Sequence, residues 1–206
     1  RPPAGRVSRC PRGISAHVDA VLDVHLRGAF HVVREAFPLM CAADYGRIVL
    51  TSSIGGLYGN HDVANYGVAK AGIIGLSNVA AIEGAAHNVK SNVIIPGAVT
   101  RMAEGIDTSA YPPMGADLVA PAVGWLAHES CSLTGEMLVA IAGRIARAYI
   151  AETAGVYRPS WTIEEVAEQI GSIRDTTDSV VFPVVPDGHA EHIRYSFGMA
   201  GQGVTR

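Results

Sequence analysis

The segment "VANYGVAKAGIIGLSNVA" sets Tyr66 and Lys70 four positions apart among small apolar residues. Positions i and i+4 share one face of a helix, so a Lys70 ammonium can lie within a few ångströms of the Tyr66 phenol. A free phenol titrates near ~10, and a neighbouring cation lowers such a value by about 1 to 3 units, toward the range useful for proton transfer at neutral pH. The pair is therefore a candidate general acid/base. Taken alone, the spacing is common as a solvated surface pair, and its weight comes from the residues before it. Ser52 and Ser53 close an apolar run, Gly55, Gly56 and Gly59 follow, and Ser53 stands thirteen positions ahead of Tyr66. In an open parallel sheet, ligands bind outside the carboxyl ends of the strands. Ser53, Tyr66 and the strand-terminal "PGAVT" at 96–100 would then converge on one crevice.

Those side chains require a particular order of elements. In "VDAVLDVHLRGAFHVVREAFPLM", Val21, Leu22, His25, Leu26, Ala29, Phe30, Val33 and Phe37 follow a period of about 3.6 residues, which predicts a long amphipathic helix over 18–40. "GRIVLTSS" predicts a buried strand near 47–53, with "IGGLYGNHD" as a glycine-rich loop behind it. A second long helix follows over 63–87, its Ala and Gly positions allowing close approach to neighbouring backbone. "VKSNVIIPG" is the next strand, near 91–96 and ended by Pro96, which lacks a ladder donor. "DLVAPAVGWLAHES" reads as a third helix and "GEMLVAIAG" as a third strand, near 136–142. Strands alternating with helices imply parallel pairing through right-handed crossovers, hence a three-layer α/β arrangement with helices 18–40 and 63–87 on one face. In the tail, "SWTIEEVAEQIGSI" predicts a separate helix capped by Ser160 or Thr162, with Glu164 and Glu165 in its first turn. "SVVFPVVPDG" reads as a short edge strand broken by Pro183 and Pro186, and "FGMAGQGVTR" as a loose end.

Composition bounds what such a chain can do. With 206 residues, 49% hydrophobic and 17% charged, it can bury one sizeable core and a small appendage. A net charge of -3 supplies no basic field for phosphodiester backbones or anionic membranes, so neither nucleic acid nor membrane is expected as a partner. Cys10, Cys41 and Cys131 form no C-x-x-C pattern and leave an odd count, which predicts neither a disulfide framework nor a zinc ribbon and favours a reducing, cytoplasmic setting. No apolar run approaches the ~18 to 20 residues of a membrane helix, and "RPPAGRVSRCPRG" lacks the hydrophobic middle of a signal peptide. That Arg-, Pro- and Gly-rich opening, which does not begin with Met, is expected to be irregular, and the chain is expected to be a fragment.

Ser53, the glycine loop, "YGVAK" and "SNVIIPGAVT", in this order and spacing, resemble the catalytic half of the short-chain dehydrogenase/reductase family, from about Val18 through Gly143. Within it, "VLDVHLRGAFHVVREAFPLM" and "YGVAKAGIIGLSNVAAIEGAAHNVKSNVIIP" are similar to the branch containing the (3R)-hydroxyacyl-CoA dehydrogenase domains of multifunctional β-oxidation enzymes and related hydroxysteroid dehydrogenases. The resemblance implies a partial Rossmann-like, doubly wound parallel sheet with a C-terminal helical extension. The divisions are 1–17 as an irregular leader, 18–144 as the catalytic half and 145–206 as the extension. It also implies an oxidoreductase that interconverts a secondary alcohol and a ketone on a small-molecule substrate, a 3-hydroxyacyl thioester or a hydroxysteroid, with NAD or NADP carrying the hydride. Tyr66 would be the acid/base, Ser53 would polarise the substrate oxygen, and Lys70 would hold the nicotinamide ribose while lowering the Tyr66 pKa. Pro96, Gly97, Val99 and Thr100 match the segment lining the nicotinamide, Thr100 through its hydroxyl to the carboxamide. No metal is implied, and a homo-oligomer is expected for the full-length form.

The chain departs from the family pattern in two places. The family commonly carries Asn where this chain has His25, which leaves open a proton relay through His25 or a hydrogen-bonded histidine packed inside the first helix. No T-G-x-x-x-G-x-G or G-x-G-x-x-G follows a strand, no acidic residue stands where the adenosine ribose would bind, and no N-N-A-G occurs. Other chemistries lack their signatures. Thr51 occupies the place of the first Gly in G-x-S-x-G, Lys70 and Lys90 belong to no P-loop, and His189 and His192 lack a carboxylate pattern for a metal. Two rival readings remain. One is a nucleotide-sugar epimerase or dehydratase, told apart by turnover without net change in NADH absorbance, and the other a non-catalytic fragment lacking the dinucleotide loop.

Overall fold

Aliphatic and β-branched residues concentrate at 46–51, 89–97 and 137–141, and helices fill the intervals between them. The computed structural model describes residues 15–105 and 107–203. Helix α1 (Ser15–Leu22) begins inside the stretch read as an irregular leader, whose residues 1–14, with Cys10, lie outside the described residues. A π-helical turn, Asp23–Arg27, joins α1 to α2 (Gly28–Ala42). Strand β1 (Gly46–Thr51) leads into α3 (Ile54–Leu57), a short helix where a loop was expected. Helix α4 (Ala64–Gly84) continues as a 3₁₀ turn to His87 and stops at Asn88, whose left-handed φ of 51° reverses the chain into β2 (Val89–Gly97). Helix α5 (Ala120–Ala127) and β3 (Met137–Ile141) follow, and β4 (Arg144–Ala148) folds back on β3.

The strand order is β1-β2-β3-β4, with β1, β2 and β3 parallel and β4 antiparallel to β3. The register places Leu50 beside Val93 and Val93 beside Met137, so alternate side chains fall into two layers. Ile48, Leu50, Val93, Ile95 and Met137 face α2 and α4, where Val33, Ile73, Ile74 and Ala80 close over them. Val49, Ile94, Leu138 and Ala140 point the other way, against Ala122 and Leu126 of α5. Fully burying one such aliphatic side chain stabilises the fold by about 1.5 to 3 kcal/mol. The result is the expected three-layer arrangement.

Three local differences from the sequence reading have physical causes. Pro96 lies within β2 rather than ending it. Ile94 accepts the Ser52 N–H, so alternation turns the Pro96 nitrogen toward the same side, past Thr51, where β1 has stopped and needs no donor. Strand β4 was not expected, because its two arginines interrupt the apolar pattern; Arg147 is satisfied by a two-pronged contact with Glu136. The helical run Ala64–His87, 24 residues with mean hydropathy 1.2, is long and apolar enough to cross a membrane, contrary to the expectation of no such run. It is packed on the sheet as a core helix, with Ala69, Ile73 and Ala81 buried.

The chain divides into two compact units, Arg1–Ala148 and Tyr149–Arg206. Within the second, Thr162 caps α6 (Ile163–Ile173) in a reciprocal capping box with Glu165. The segment read as an edge strand makes one bridge, Val180 with Glu152, because Pro183 and Pro186 remove the donors that would extend it. Of the end read as loose, residues 197–203 belong to helix α7 (Gly188–Gly203) and 204–206 lie outside the described residues; α7 also sets His192 and Tyr195 in T-shaped ring contacts with Phe182 at 5.1 and 5.7 Å.

Candidate active site

Where β1 ends, Ser53 adopts an extended conformation and caps α3, its hydroxyl oxygen accepting the Gly55 N–H at 3.1 Å. A hydroxyl that accepts through a lone pair keeps its own proton to donate. Helix α3 lies directly on α4. A Cβ at Gly56 would fall 2.8 Å from both the carbonyl carbon and the Cβ of Lys70, so only glycine permits this approach. Beside it, the buried Ser52 hydroxyl donates to the Lys70 carbonyl at 2.7 Å. Tyr66, in the first turn of α4, therefore stands across from Ser53, and the two line one cavity of about 270 Å³ together with Ile54, Tyr58, Asn60 and Val63.

Lys70 is 8% exposed and donates its ammonium to the Thr51 carbonyl at 2.9 Å, with Nζ 5.7 Å from the Tyr66 ring centre. Burial holds its amine below the ordinary lysine range. His25, on the π turn, meets the Tyr66 ring edge-to-face at 5.3 Å. Burial, and then the Lys70 charge, hold its imidazole below the ordinary histidine range, so it is neutral at neutral pH. His25 is half-buried on the π turn, and its ring contact is with the candidate acid/base.

Gly97 ends β2, with Pro96 just before it, at the same carboxyl edge of the sheet as Ser53. Val99 donates its N–H to the Met114 carbonyl at 2.7 Å, and the Thr100 hydroxyl oxygen accepts the Met102 N–H at 3.3 Å. The fold thus brings Ser53 and Tyr66 onto one cavity wall, puts Lys70 behind Tyr66, and leaves residues 96–100 on the neighbouring strand end, off that wall. Ser52, Gly56 and the partner of His25 were not assigned from sequence. Their roles are contacts between elements distant in the chain, for which no local motif exists. His192 pairs with Glu152 at 3.1 Å, and among the described residues no three metal-ligating side chains cluster. Ser53 and Tyr66 thus line one cavity, and the Lys70 ammonium lies 5.7 Å from the Tyr66 ring centre.

Known proteins share this arrangement of elements. A family model described as short chain dehydrogenase matches residues 7–109. Peroxisomal multifunctional enzyme type 2 of Drosophila melanogaster is 44% identical over 161 residues, 75% of this chain and 27% of that protein. Peroxisomal hydratase-dehydrogenase-epimerase of Saccharomyces cerevisiae is 34% identical over 168 residues, 77% of this chain and 18% of that protein. The solved structure of the full-length Drosophila enzyme superposes with a TM-score of 0.77 at 33% identity, covering 92% of this chain and 36% of that one. A short chain dehydrogenase from Mycobacterium avium gives a TM-score of 0.69 at 32% identity over 82% of this chain and 61% of that chain. The chain spans about a quarter of the length of the Drosophila relative, and the matched part is the one that carries the site. With half its length under the family model and the fold in agreement, the chain belongs to the short-chain dehydrogenase family.

Proposed function

We propose that this chain carries the catalytic site of an NAD(P)-dependent oxidoreductase that interconverts a secondary alcohol and a ketone, with Ser53, Tyr66 and Lys70 as the working residues. The observation that carries the reading is the placement of the Ser53 and Tyr66 side chains on one cavity, with a buried Lys70 behind them. Ser53 donates its hydroxyl proton in a hydrogen bond to the substrate oxygen, because the Gly55 N–H occupies one of its lone pairs. Tyr66, as the phenolate, takes the hydroxyl proton of the alcohol and becomes the phenol, or as the phenol gives that proton to the ketone oxygen in the reverse direction. Lys70, donating to Thr51 and buried without a carboxylate, stabilises negative charge that develops on that oxygen.

Members of the family use NAD(P), which when bound supplies the hydride acceptor or donor. The residues present fit its nicotinamide end. The Lys70 ammonium has donors beyond the one used on Thr51, and the Thr100 hydroxyl keeps its proton while accepting from Met102. Tyr66, Lys70, Pro96, Gly97, Val99 and Thr100 would hold that end. Among the described residues no T-G-x-x-x-G-x-G or G-x-G-x-x-G turn follows a strand to receive the diphosphate.

The substrate to try first is a 3-hydroxyacyl thioester, and then a hydroxysteroid. The resemblance of two segments to the hydroxyacyl-CoA branch supports that order, as does the apolar side of the cavity formed by Ile54 and Val63. A homo-oligomer is supported by the groove between α2 and α4, where Phe30 and Val79 are exposed apolar side chains. A reducing compartment such as the cytoplasm is supported by the free Cys41 and Cys131.

The decisive experiment follows NADH or NADPH formation from a 3-hydroxyacyl thioester at saturating cofactor, comparing the chain with Tyr66→Phe and Lys70→Ala. The Tyr66 variant is expected to lose turnover and keep cofactor binding, and the Lys70 variant to lose both. Undiminished turnover in Tyr66→Phe, or in Lys70→Ala, would overturn the proposal.

A further inference from the structure

The helix that carries His25 is not a uniform α-helix. In the π turn Asp23–Arg27, the Gly28 N–H reaches back five residues to the Asp23 carbonyl. Such a turn holds one residue more than an α turn and rotates the succeeding residues by about 100°. It delivers two neighbouring side chains onto α4. Leu26 occupies the space where a Cβ at Gly72 would stand, its methyl carbon 2.9 Å from that point. His25 meets the Tyr66 ring with the planes at 87° and the centres 5.3 Å apart. Gly55 also adjoins that ring, its ideal Cβ position 3.8 Å from a ring carbon, and Lys70 Nζ stands 5.7 Å from the ring centre.

Of these three neighbours of the Tyr66 ring, His25 is the one whose contact depends on ring orientation. Aromatic pairs prefer this edge-to-face geometry, and an imidazole edge supplies it as a phenyl edge would. The charged groups around His25 are Lys70 from α4 and, on its own turn, Asp23 and Arg27, which pair with each other.

We propose that His25 is a positioning residue for Tyr66: the π turn sets its ring at right angles to the phenol ring and so holds Tyr66 toward the cavity shared with Ser53. The inference rests on Tyr66 being the acid/base residue proposed above. It assigns His25 a role through shape, with no proton passing through its nitrogens.

His25→Ala, His25→Leu and His25→Phe test it, the last retaining a ring edge and nothing titratable. A misplacement of about an ångström can cost up to about 100-fold in rate, so loss of the ring is expected to lower kcat by about tenfold or more, with KM within about twofold. His25→Phe is expected to recover kcat to within about threefold of the parent. His25→Leu fills the volume without a ring, and it should behave as the Ala variant and replace it if that one does not fold. In parallel, NMR of labelled tyrosine, assigned through Tyr66→Phe, should show the Tyr66 ring signals shifted in the parent and in His25→Phe, and unshifted in the other two. Parent-like kcat and ring signals in His25→Ala would overturn the proposal. So would a His25→Phe variant as impaired as His25→Ala, since that would put the function in the imidazole nitrogens. If Tyr66→Phe keeps full turnover, the acid/base reading fails separately, and the ring signals alone decide whether His25 orients Tyr66.

Discussion

The buried Ser52 hydroxyl donates to the Lys70 main-chain carbonyl at 2.7 Å, while the Lys70 ammonium donates to the Thr51 carbonyl at 2.9 Å. Two adjacent residues at the end of β1 are therefore strapped to one residue of α4. The pair of bonds fixes how far the Ser53 turn can move from the helix that carries Tyr66. Ser52→Ala removes one strap and is expected to lower stability by about 1 kcal/mol, read from urea unfolding. Its turnover should fall with Ser53 and Lys70 both intact, and unchanged stability and turnover would show that the strap is dispensable.

Gly56→Ala tests the contact between α3 and α4. The added methyl would stand 2.8 Å from Lys70 and 3.0 Å from the Ala71 nitrogen, and these are mainly backbone atoms that cannot rotate away. Destabilisation of about 1 to 3 kcal/mol is expected, with α3 displaced from α4. Gly55→Ala, whose methyl would meet the Tyr66 ring at an ordinary 3.8 Å, is expected to be much milder.

Lys70 imposes a pH-dependent cost on folding. Burial holds the folded amine below its ordinary 10.5, so between the folded titration point and 10.5 the unfolded chain binds more protons. Stability therefore rises with pH across that window, and the cost of burying the ammonium is fully present below it. Lys70→Met removes the cost along with a hydrogen bond. The stability of the Met variant relative to the parent should be most favourable at neutral pH and decline as pH approaches 10.5. Parallel stability curves in denaturant at the two pH values would contradict this.

The turn between β3 and β4 contains a strained alanine. Ala142 has φ +50° and is followed by Gly143 at +78°, a pair of left-handed residues that asparagine and glycine adopt more readily than alanine. Ala142→Asn is expected to stabilise the fold by about 0.5 to 1 kcal/mol. A lowered melting temperature would count against this account of the turn.

The outer edge of β1 pairs with no strand among the described residues, and Ile48, Val49 and Leu50 lie along it. Arg47 offers little protection, because its guanidinium is committed to the carbonyls of Gly46, Asn88 and Glu129. An unpaired apolar edge templates further pairing. The 206-residue chain is expected to self-associate in light scattering, and to bind NADH weakly because its sequence holds no G-x-G-x-x-G motif for the diphosphate. A monomer with micromolar NADH affinity would refute both.

What the sequence by itself determined is whatever depends on local pattern. Period and β-branching placed the three parallel strands and both long helices, because side-chain alternation and helical spacing are properties of neighbouring residues. The spacing of Tyr66 and Lys70 likewise placed them on one helix, and the order of "YGVAK" and "SNVIIPG" announced the family. The tertiary structure alone decided which elements meet. It seated α3 on α4 through the bare Gly56, put Ser53 and Tyr66 on one cavity wall, kept residues 96–100 off it, and turned His25 onto Tyr66 through a π turn. It also drew residues 197–203 of the supposedly loose tail into α7 and paired β4 with β3. These outcomes follow from close packing between segments remote in sequence, where a missing methyl or one extra residue in a turn decides which surfaces touch.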